Sequence, residues 1–331
     1  MHTIALLGLG GHLPETVLTN EQLSARVDTS DEWITSRTGI RQRHILPEGK
    51  VNTDMGLEAS KKALAEAGLS PNDITHIVYA TCTGDYITPS AACLLSHKLG
   101  IAGRFAVDIN AACSGCLFGF VVVRGLIAAE PRAKVLLVAS EALSARTNWA
   151  DRSTCVLFGD GAGALVFGAV EEGAKRLAVL EDIETASDGA LGPLLHFGGP
   201  RGTGGNYALG DALGPDYFIN MNGRDIYKHA VRNMAAISRE VLERNGLAVK
   251  DVDMLVPHQA NMRIIEAVGA RLDVPREKVF VTVESTGNTS AASIPLAIDE
   301  ARRVGRLTPG MRVLTCTFGG GLTWSAALFR F

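Results

Sequence analysis

Two cysteines three positions apart, Cys113 and Cys116, sit in the stretch AACSGCLFGFVVV. That spacing fits a dithiol redox pair, half a metal site, two buried thiols, or one nucleophile with a bystander. A four-ligand zinc site needs a second close pair of Cys or His, and the chain offers none. A redox dithiol needs exposure, yet Cys116 leads into Leu117, Phe118, Gly119, Phe120 and a run of valines, the pattern of a buried helix. Cys116 therefore reads as a small buried hydrophobe. Cys113 differs. It follows a strand pattern, FAVDI, and a small-residue turn, NAA, and precedes Ser114, Gly115 and the apolar helix. A thiol at a helix N-terminus meets free N–H groups and the positive end of the dipole. The expectation is a lowered pKa.

A nucleophilic thiol needs proton handling and charge stabilisation. The second half of the chain supplies both. VPHQAN puts His258 after a strand, with Gln259 and Asn261 ahead of a helix. GNTSAAS puts Asn288 in a small-residue turn between a strand and a helix. TFGGGLTW carries three consecutive glycines, 319–321, whose amides can approach a reacting carbonyl unobstructed. Each feature alone is weak. Together they set three polar groups at strand ends, where α/β proteins build sites.

Two glycine motifs do not carry nucleotide chemistry. In GLGGHL, Gly8 and Gly10 fit the first two positions of a dinucleotide fingerprint, but Leu13 occupies the third. FGDGAG, at 158–163, lacks the Gly-Lys-Ser/Thr of a phosphate loop.

The elements that must hold these residues alternate. Strands are expected at Thr3–Leu9, Ile74–Thr81, Phe105–Ile109, Lys134–Ser140, Ala162–Gly168, Met254–Pro257, Val279–Val283 and Met311–Phe318. Helices are expected at Asp54–Ala67, Pro89–Leu99, Gly115–Ala129, Gly223–Asn245, Asn261–Leu272 and Ser290–Glu300. This is an α/β chain. Aligned without gaps, ALAEAGLSPNDITHIV (63–78) echoes VLERNGLAVKDVDMLV (241–256). Leu64, Gly68, Leu69 and Asp73 coincide with Leu242, Gly246, Leu247 and Asp251. Either many helix–turn–strand units share this pattern, or the chain is a duplication. A duplication divides it into 1–175, with Cys113, and 176–331, with His258 and Asn288. The Gly- and Pro-rich segment from Ser187 to Asp216 reads as a long loop or lid.

Bulk properties narrow the class. The 331 residues are 47% hydrophobic and 20% charged, enough for a large core, and the net charge of -3 gives no general pull toward nucleic acid or anionic membrane. The apolar run at Leu117–Ala129 is broken by Arg124 and glycines and does not read as a membrane span. The first residues lack the charged and apolar regions of a secretory signal. A cytoplasmic, reducing location is expected, with the six cysteines as thiols.

Longer motifs carry a resemblance. TSDEWITSRTGIRQRH (29–44), PSAACLLSHKLG (89–100), AACSG (111–115), DRSTCVLFGDGAGA (151–164), MNGRDIY (221–227), VPHQANMRII (256–265), GNTSAASIPLAIDEA (287–301) and FGGGLTW (318–324) follow in order. Across nearly its whole length the sequence resembles the β-ketoacyl-acyl carrier protein synthase III family of thiolase-like condensing enzymes. The resemblance implies a five-layered α-β-α-β-α fold of two duplicated halves, a homodimer, and a triad of Cys113, His258 and Asn288. It implies acyl transfer from coenzyme A to Cys113, then decarboxylative condensation with malonyl-acyl carrier protein, the step that initiates fatty acid synthesis. The amides of Cys113 and Gly320 would form the oxyanion hole. His258 Nε2, neutral, and Asn288 Nδ2 would stabilise the enolate. Phe318 would limit water and exclude the carboxylate.

By the same resemblance, Trp33 and Arg152 sandwich the coenzyme A adenine, Arg37 contacts phosphate, and Arg263 guides the acidic carrier protein. No cofactor is implied beyond the coenzyme A thioester as substrate, and neither nucleic acid nor membrane as partner. Three features depart from the family pattern. Cys116 stands where an aromatic residue is common. Thr88 stands at an acyl-pocket position that is often large. The Gly-rich stretch around 198–214 is an insertion. Each is expected to bear on primer choice, and none sets chain length. Two other readings remain open: a specialised relative of the same chemistry, and a non-catalytic partner subunit. The intact triad favours carbon–carbon bond formation.

Overall fold

A computed structural model describes residues 3–171, 174–198 and 214–331. Its central feature is a sheet of nine strands: β1 (Thr3–His12), β2 (His76–Ala80), β3 (Phe105–Ile109), β4 (Lys134–Glu141), β5 (Gly161–Val170), β6 (Ala178–Ser187), β7 (Met254–Pro257), β8 (Arg312–Gly319) and β9 (Thr323–Arg330). The spatial order is β7-β8-β9-β6-β1-β5-β4-β2-β3.

That order is one pattern written twice. From β1 outward run β1-β5-β4-β2-β3, with β2 parallel to both β3 and β4, and β5 antiparallel to β4 and β1. From β6 outward run β6-β9-β8-β7, with β7 parallel to β8, and β9 antiparallel to β8 and β6. The fifth position of this second set is a single parallel bridge between Leu255 and Val279. The strand predicted at Val279–Val283 is thus reduced to one bridge. Pro275 and a 3₁₀ turn at Arg276–Lys278 precede it, and a short helix begins at Val283. The two sets meet where Ala5 and Leu6 pair with Val179 and Ala178.

The helices that cover this sheet are α1 (Asp31–Thr38), α2 (Asn52–Ala67), α3 (Ala91–Lys98), α4 (Gly115–Ala129), α5 (Gly223–Arg244), α6 (Met262–Leu272) and α7 (Ser293–Arg303). They form three apolar layers against two sheet faces. α2 and α3 pack Met55, Ala59 and Leu95 onto Ile77, Leu136 and Val166. α4 and α7 lie in the middle and touch strands of both sets. α5 and α6 cover the far face through Met234, Val241 and Val268 against Leu255 and Leu314. Helix, sheet, helix, sheet, helix is a five-layered stack. Phe120 of α4 meets Phe167 of β5 edge-on at 5.5 Å and Phe329 of β9 at 5.4 Å, so one ring joins both sets. The stretch Ala112–Ala129, α4 with the turn before it, is long and apolar enough to cross a bilayer, and its apolar composition follows from this sandwiched position.

The sequence echo is visible atom by atom. Gly68 ends α2 at φ 66°, and Gly246 follows α5 at φ 66°. Leu69 N–H bonds Leu64 O at 3.0 Å, and Leu247 N–H bonds Leu242 O at 2.9 Å. Asp73 accepts from Ser70 N–H at 2.7 Å, and Asp251 from Ala248 N–H at 2.8 Å. The GLGG motif also finds its cause. A Cβ on Gly8 would lie 2.0 Å from Ala63 O, so β1 lies against α2 only without one.

Candidate active site

Cys113 is presented by a turn under backbone constraint. β3 ends at Ile109, Asn110 Oδ1 accepts from Ala112 N–H at 3.2 Å, and Ala112 takes φ 46°. A non-glycine residue in that region is uncommon and marks stored strain. The 3₁₀ turn Ala112–Ser114 then runs into α4. Gly319, at the end of β8, lies so close that a Cβ there would sit 2.8 Å from Cys113 N. Ser114 Oγ donates to Thr323 O at 3.2 Å, and Thr323 Oγ1 to Ala111 O at 3.1 Å, which pins the turn to β9.

His258 follows β7 and is buried, its backbone N–H bonded to Cys316 O at 2.8 Å. Its Nδ1 lies 2.7 Å from Ser293 Oγ. Burial lowers its pKa from 6.5 to about 4, so the ring is neutral at physiological pH. Asn288 is buried and bonded through its backbone to Leu157 and Gly159. Its Oδ1 accepts from Ser290 N–H at 2.9 Å, which leaves the Nδ2 donor for the cavity. Gln259 braces the segment. Its Nε2 donates to Pro257 O and Phe280 O, and its Oε1 accepts from Thr282 and Val283 N–H.

Cys113, His258, Asn288 and Phe318 line one cavity of about 570 Å³. A second, of about 520 Å³, shares Cys113, Phe158 and Leu195 with the first and is lined by Cys82, Ile87, Ile219 and Gly320 among others. The sulfur therefore stands where two cavities meet. Burial pushes its thiol up to about 12; a bond from Ser290 opposes that shift and the charge of Glu141 adds to it. The lowered thiol pKa predicted from the helix terminus is corrected here. Desolvation in the cavity wall outweighs the dipole. Cys116 is fully buried against the middle layer, the bystander position expected of it, and all six cysteines are free.

Arg263 lines the first cavity, its guanidinium 5.9 Å from the Tyr227 ring. Trp33, Arg37 and Arg152 lie outside that lining and form their own stack. Each guanidinium carbon is 4.9 Å from the indole centroid. Asn261 Nδ2 donates to Arg37 O at 3.4 Å and links this stack to the cavity. Gly320 lines the second cavity beside Ala112. Thr88 lines neither cavity; its neighbour Ile87 lines the second. Of the Gly-rich insertion, 199–213 lie outside the described residues.

Sequence reasoning missed several residues. Ser290 and Ser293 stood inside the quoted GNTSAAS motif, where only Asn288 was singled out. Arg224 and Lys228 at the start of α5 line the first cavity beside Arg263. Glu141, an acid closing an otherwise apolar strand, is fully buried next to the site.

A cysteine at the joint of two cavities, faced by a neutral histidine and an asparagine in a doubled five-layered stack, defines a thiolase-like condensing enzyme. Comparison narrows this. Residues 107–189 match the family described as 3-oxoacyl-[acyl-carrier-protein (ACP)] synthase III, and 242–331 match its C-terminal counterpart. The chain is 60% identical over 324 residues to a β-ketoacyl-[acyl-carrier-protein] synthase III of Nitratidesulfovibrio vulgaris, covering 98% of this chain and 96% of that one. The crystal structure of 3-oxoacyl-[acyl-carrier-protein] synthase III from Aquifex aeolicus superposes with a TM-score of 0.90 at 43% identity, covering 99% of this chain and 100% of that one. The enzyme from Pseudomonas aeruginosa gives 0.90 at 40% identity, covering 99% and 98%. The chain belongs to the 3-oxoacyl-[acyl-carrier-protein] synthase III family, and its activity is the condensation of that family.

Proposed function

We propose that the condensation runs through an acyl thioester on Cys113, with acyl-CoA as primer donor and malonyl-acyl carrier protein as extender. The observation that carries this reading is the meeting of two cavities at one sulfur, with His258 and Asn288 in the wall of the first. The first cavity takes the pantetheine arm. The second takes the acyl chain. Attack by sulfur yields a tetrahedral oxyanion between the amides of Cys113 and Gly320. Loss of CO2 from the malonyl group leaves an enolate, which His258 Nε2–H and Asn288 Nδ2–H receive as neutral donors. Its carbon attacks the Cys113 thioester. Removing either donor costs about 3–4 kcal/mol of barrier. Phe318, buried in the first wall, excludes water and disfavours the departing carboxylate.

Trp33 and Arg152 hold the adenine, and Arg37 a phosphate. Arg263, with Arg224 and Lys228, meets the acidic carrier protein at the mouth. The protein acts as a homodimer: β3 is an edge strand carrying exposed Phe105, and Tyr86 and Ile87 are also exposed. The halves are 1–175 and 176–331, the second starting just before β6. Six free thiols accord with a cytoplasmic setting. Intact-protein mass after incubation with a panel of acyl-CoAs tests the reading. One acyl adduct is expected, absent in Cys113→Ala, and discharged by malonyl-acyl carrier protein as the β-ketoacyl product. No adduct from any acyl-CoA would overturn it.

A further inference from the structure

Glu141 is fully buried at the end of β4, and among the described residues no cation contacts it. Burial raises its pKa, and the hydrogen bonds around it favour the carboxylate form. Thr83 Oγ1 already accepts from Ala142 N–H and Asn52 Nδ2, so its own proton goes to Glu141 Oε2. Thr81 Oγ1 accepts from Thr83 N–H and Asn52 Nδ2 and gives its proton to the same oxygen at 3.2 Å. Cys82 adds its backbone N–H at 3.2 Å. Ser290 Oγ donates to Oε1 at 3.2 Å. Donors on every side favour the charged carboxylate and oppose the rise in pKa that burial causes. A charge buried this deeply with no counter-ion is costly, and such groups concentrate where chemistry needs them.

Ser290 connects the carboxylate to the reacting atom. Its hydroxyl is hydrogen-bonded to Glu141, and it shares the wall of the second cavity with Cys113, close enough to act on the thiol. With its proton on Glu141, its lone pairs face the Cys113 S–H. Ser290 holds φ 51°, one of three non-glycine residues with positive φ among the described residues, so the backbone holds it in this bridging position under strain. His258, by contrast, already serves another bond through Nδ1 and is a poor base in its buried neutral form.

We infer that Glu141 receives the Cys113 proton through Ser290 during acyl transfer, which leaves His258 and Asn288 as donors for the condensation half-reaction alone. The inference rests on Cys113 being the nucleophile. As the sulfur–acyl bond forms, the S–H bond breaks and its proton passes to Ser290 Oγ, whose own proton passes to Glu141 Oε1. The tetrahedral adduct expels coenzyme A as a thiolate. The relay then reverses, protonates the departing sulfur and returns Glu141 to its carboxylate. Besides Cys113, the titratable groups around Glu141 are Cys82 and Tyr79, both held protonated by burial.

The test separates the two half-reactions. Single-turnover acylation by acetyl-CoA is followed by intact mass, and discharge of the preformed acyl-enzyme by malonyl-acyl carrier protein is followed separately. Glu141→Gln is expected to slow acylation about 100-fold, the scale of a lost general base, and to leave discharge within about threefold. The wild-type acylation rate should level off with rising pH once Glu141 is ionised. In Glu141→Gln it should keep climbing toward the titration of Cys113 itself. Ser290→Ala should show the same split, and it carries the test if Glu141→Gln does not fold. An equal fall in both half-reactions, or an unchanged pH profile, would reduce Glu141 to a structural brace and overturn the inference. A wild-type protein with no adduct on Cys113 would instead overturn the nucleophile assignment.

Discussion

Nδ1 of His258 sits 2.7 Å from Oγ of Ser293, inside the protein. Ser293 Oγ also accepts from Gln259 N–H at 3.4 Å, so its own proton is free to point at Nδ1. That arrangement selects the tautomer with the proton on Nε2, the donor that the enolate needs. Ser293→Ala should therefore lower the condensation rate by about tenfold, the order of one lost hydrogen bond of about 1.4 kcal/mol. Acylation by acyl-CoA should be unchanged. Rapid-quench measurement of each half-reaction checks this, and equal losses in both would argue against the tautomer role.

The same histidine predicts an acid-sensitive fold. Its pKa is about 4 when folded and 6.5 ordinarily. Between those values the unfolded chain binds a proton that the folded one refuses. Stability is fully present above about 6.5 and is lost as pH falls toward 4, by up to about 3 kcal/mol. Cys113 acts on the other limb. Its folded thiol, at about 12 against 9, stays protonated where the unfolded one ionises, so stability falls as pH rises above 9. Urea unfolding across pH should show the acid limb flatten in His258→Asn and the alkaline limb become shallower in Cys113→Ala, with the remainder carried by Cys116 and Cys316, whose thiols burial also raises.

Arg152 rests on Trp33 with 4.9 Å between guanidinium carbon and ring centroid. A planar base between them needs two contacts of about 3.5 Å, roughly 7 Å in all. On the proposed adenine sandwich, coenzyme A binding swings Arg152 outward, away from its 2.9 Å bond to Asp28 O. Trp33→Ala is expected to raise KM for acyl-CoA about tenfold at constant kcat, the mark of uniform binding. Fluorescence from Trp33 should change on adding coenzyme A alone.

Arg224, Lys228 and Arg263 surround the first cavity. Arg263→Glu should reduce kcat/KM for malonyl-acyl carrier protein by roughly tenfold at low salt, and by less as salt rises. Its effect on acyl-CoA should be small by comparison. An equal loss for both substrates would mean the arginine serves the cavity rather than the docking.

Much of the frame was legible because burial dictates pattern. β3, β7 and α4 were predicted to the residue, since each is a nearly all-apolar run, buried in β7, sandwiched in α4 and partly covered at the edge in β3. β6 and β9 were not predicted. β6 is broken by Glu181, Asp182 and Glu184, and β9 is a run of mostly small buried residues whose second partner, β6, is distant in sequence, as in the pairing of Ser187 with Thr323. α1 escaped for a related reason: DEWITSRT has only Ile34 and Thr38 buried, so no apolar stripe announces it. At the site, Cys113, His258 and Asn288 were readable because each stands in a motif just past the end of an element. Ser293 and Glu141 were not, because a serine inside a helix and an acid at a strand end acquire meaning only from what folding brings beside them. The direction of the Cys113 pKa was misread for the same reason, as local sequence reveals the dipole but not the depth.

The joint of the two cavities at Cys113 has a consequence for traffic. Arg224, Lys228 and Arg263 line the first cavity alone. If the acyl chain waits in the second, both carriers must use the first passage to reach the sulfur, and they must take turns. A surplus of either carrier then obstructs the other. Turnover follows the balance between the two thioester pools rather than the size of either, and the enzyme sets the start of a chain by comparison rather than by abundance.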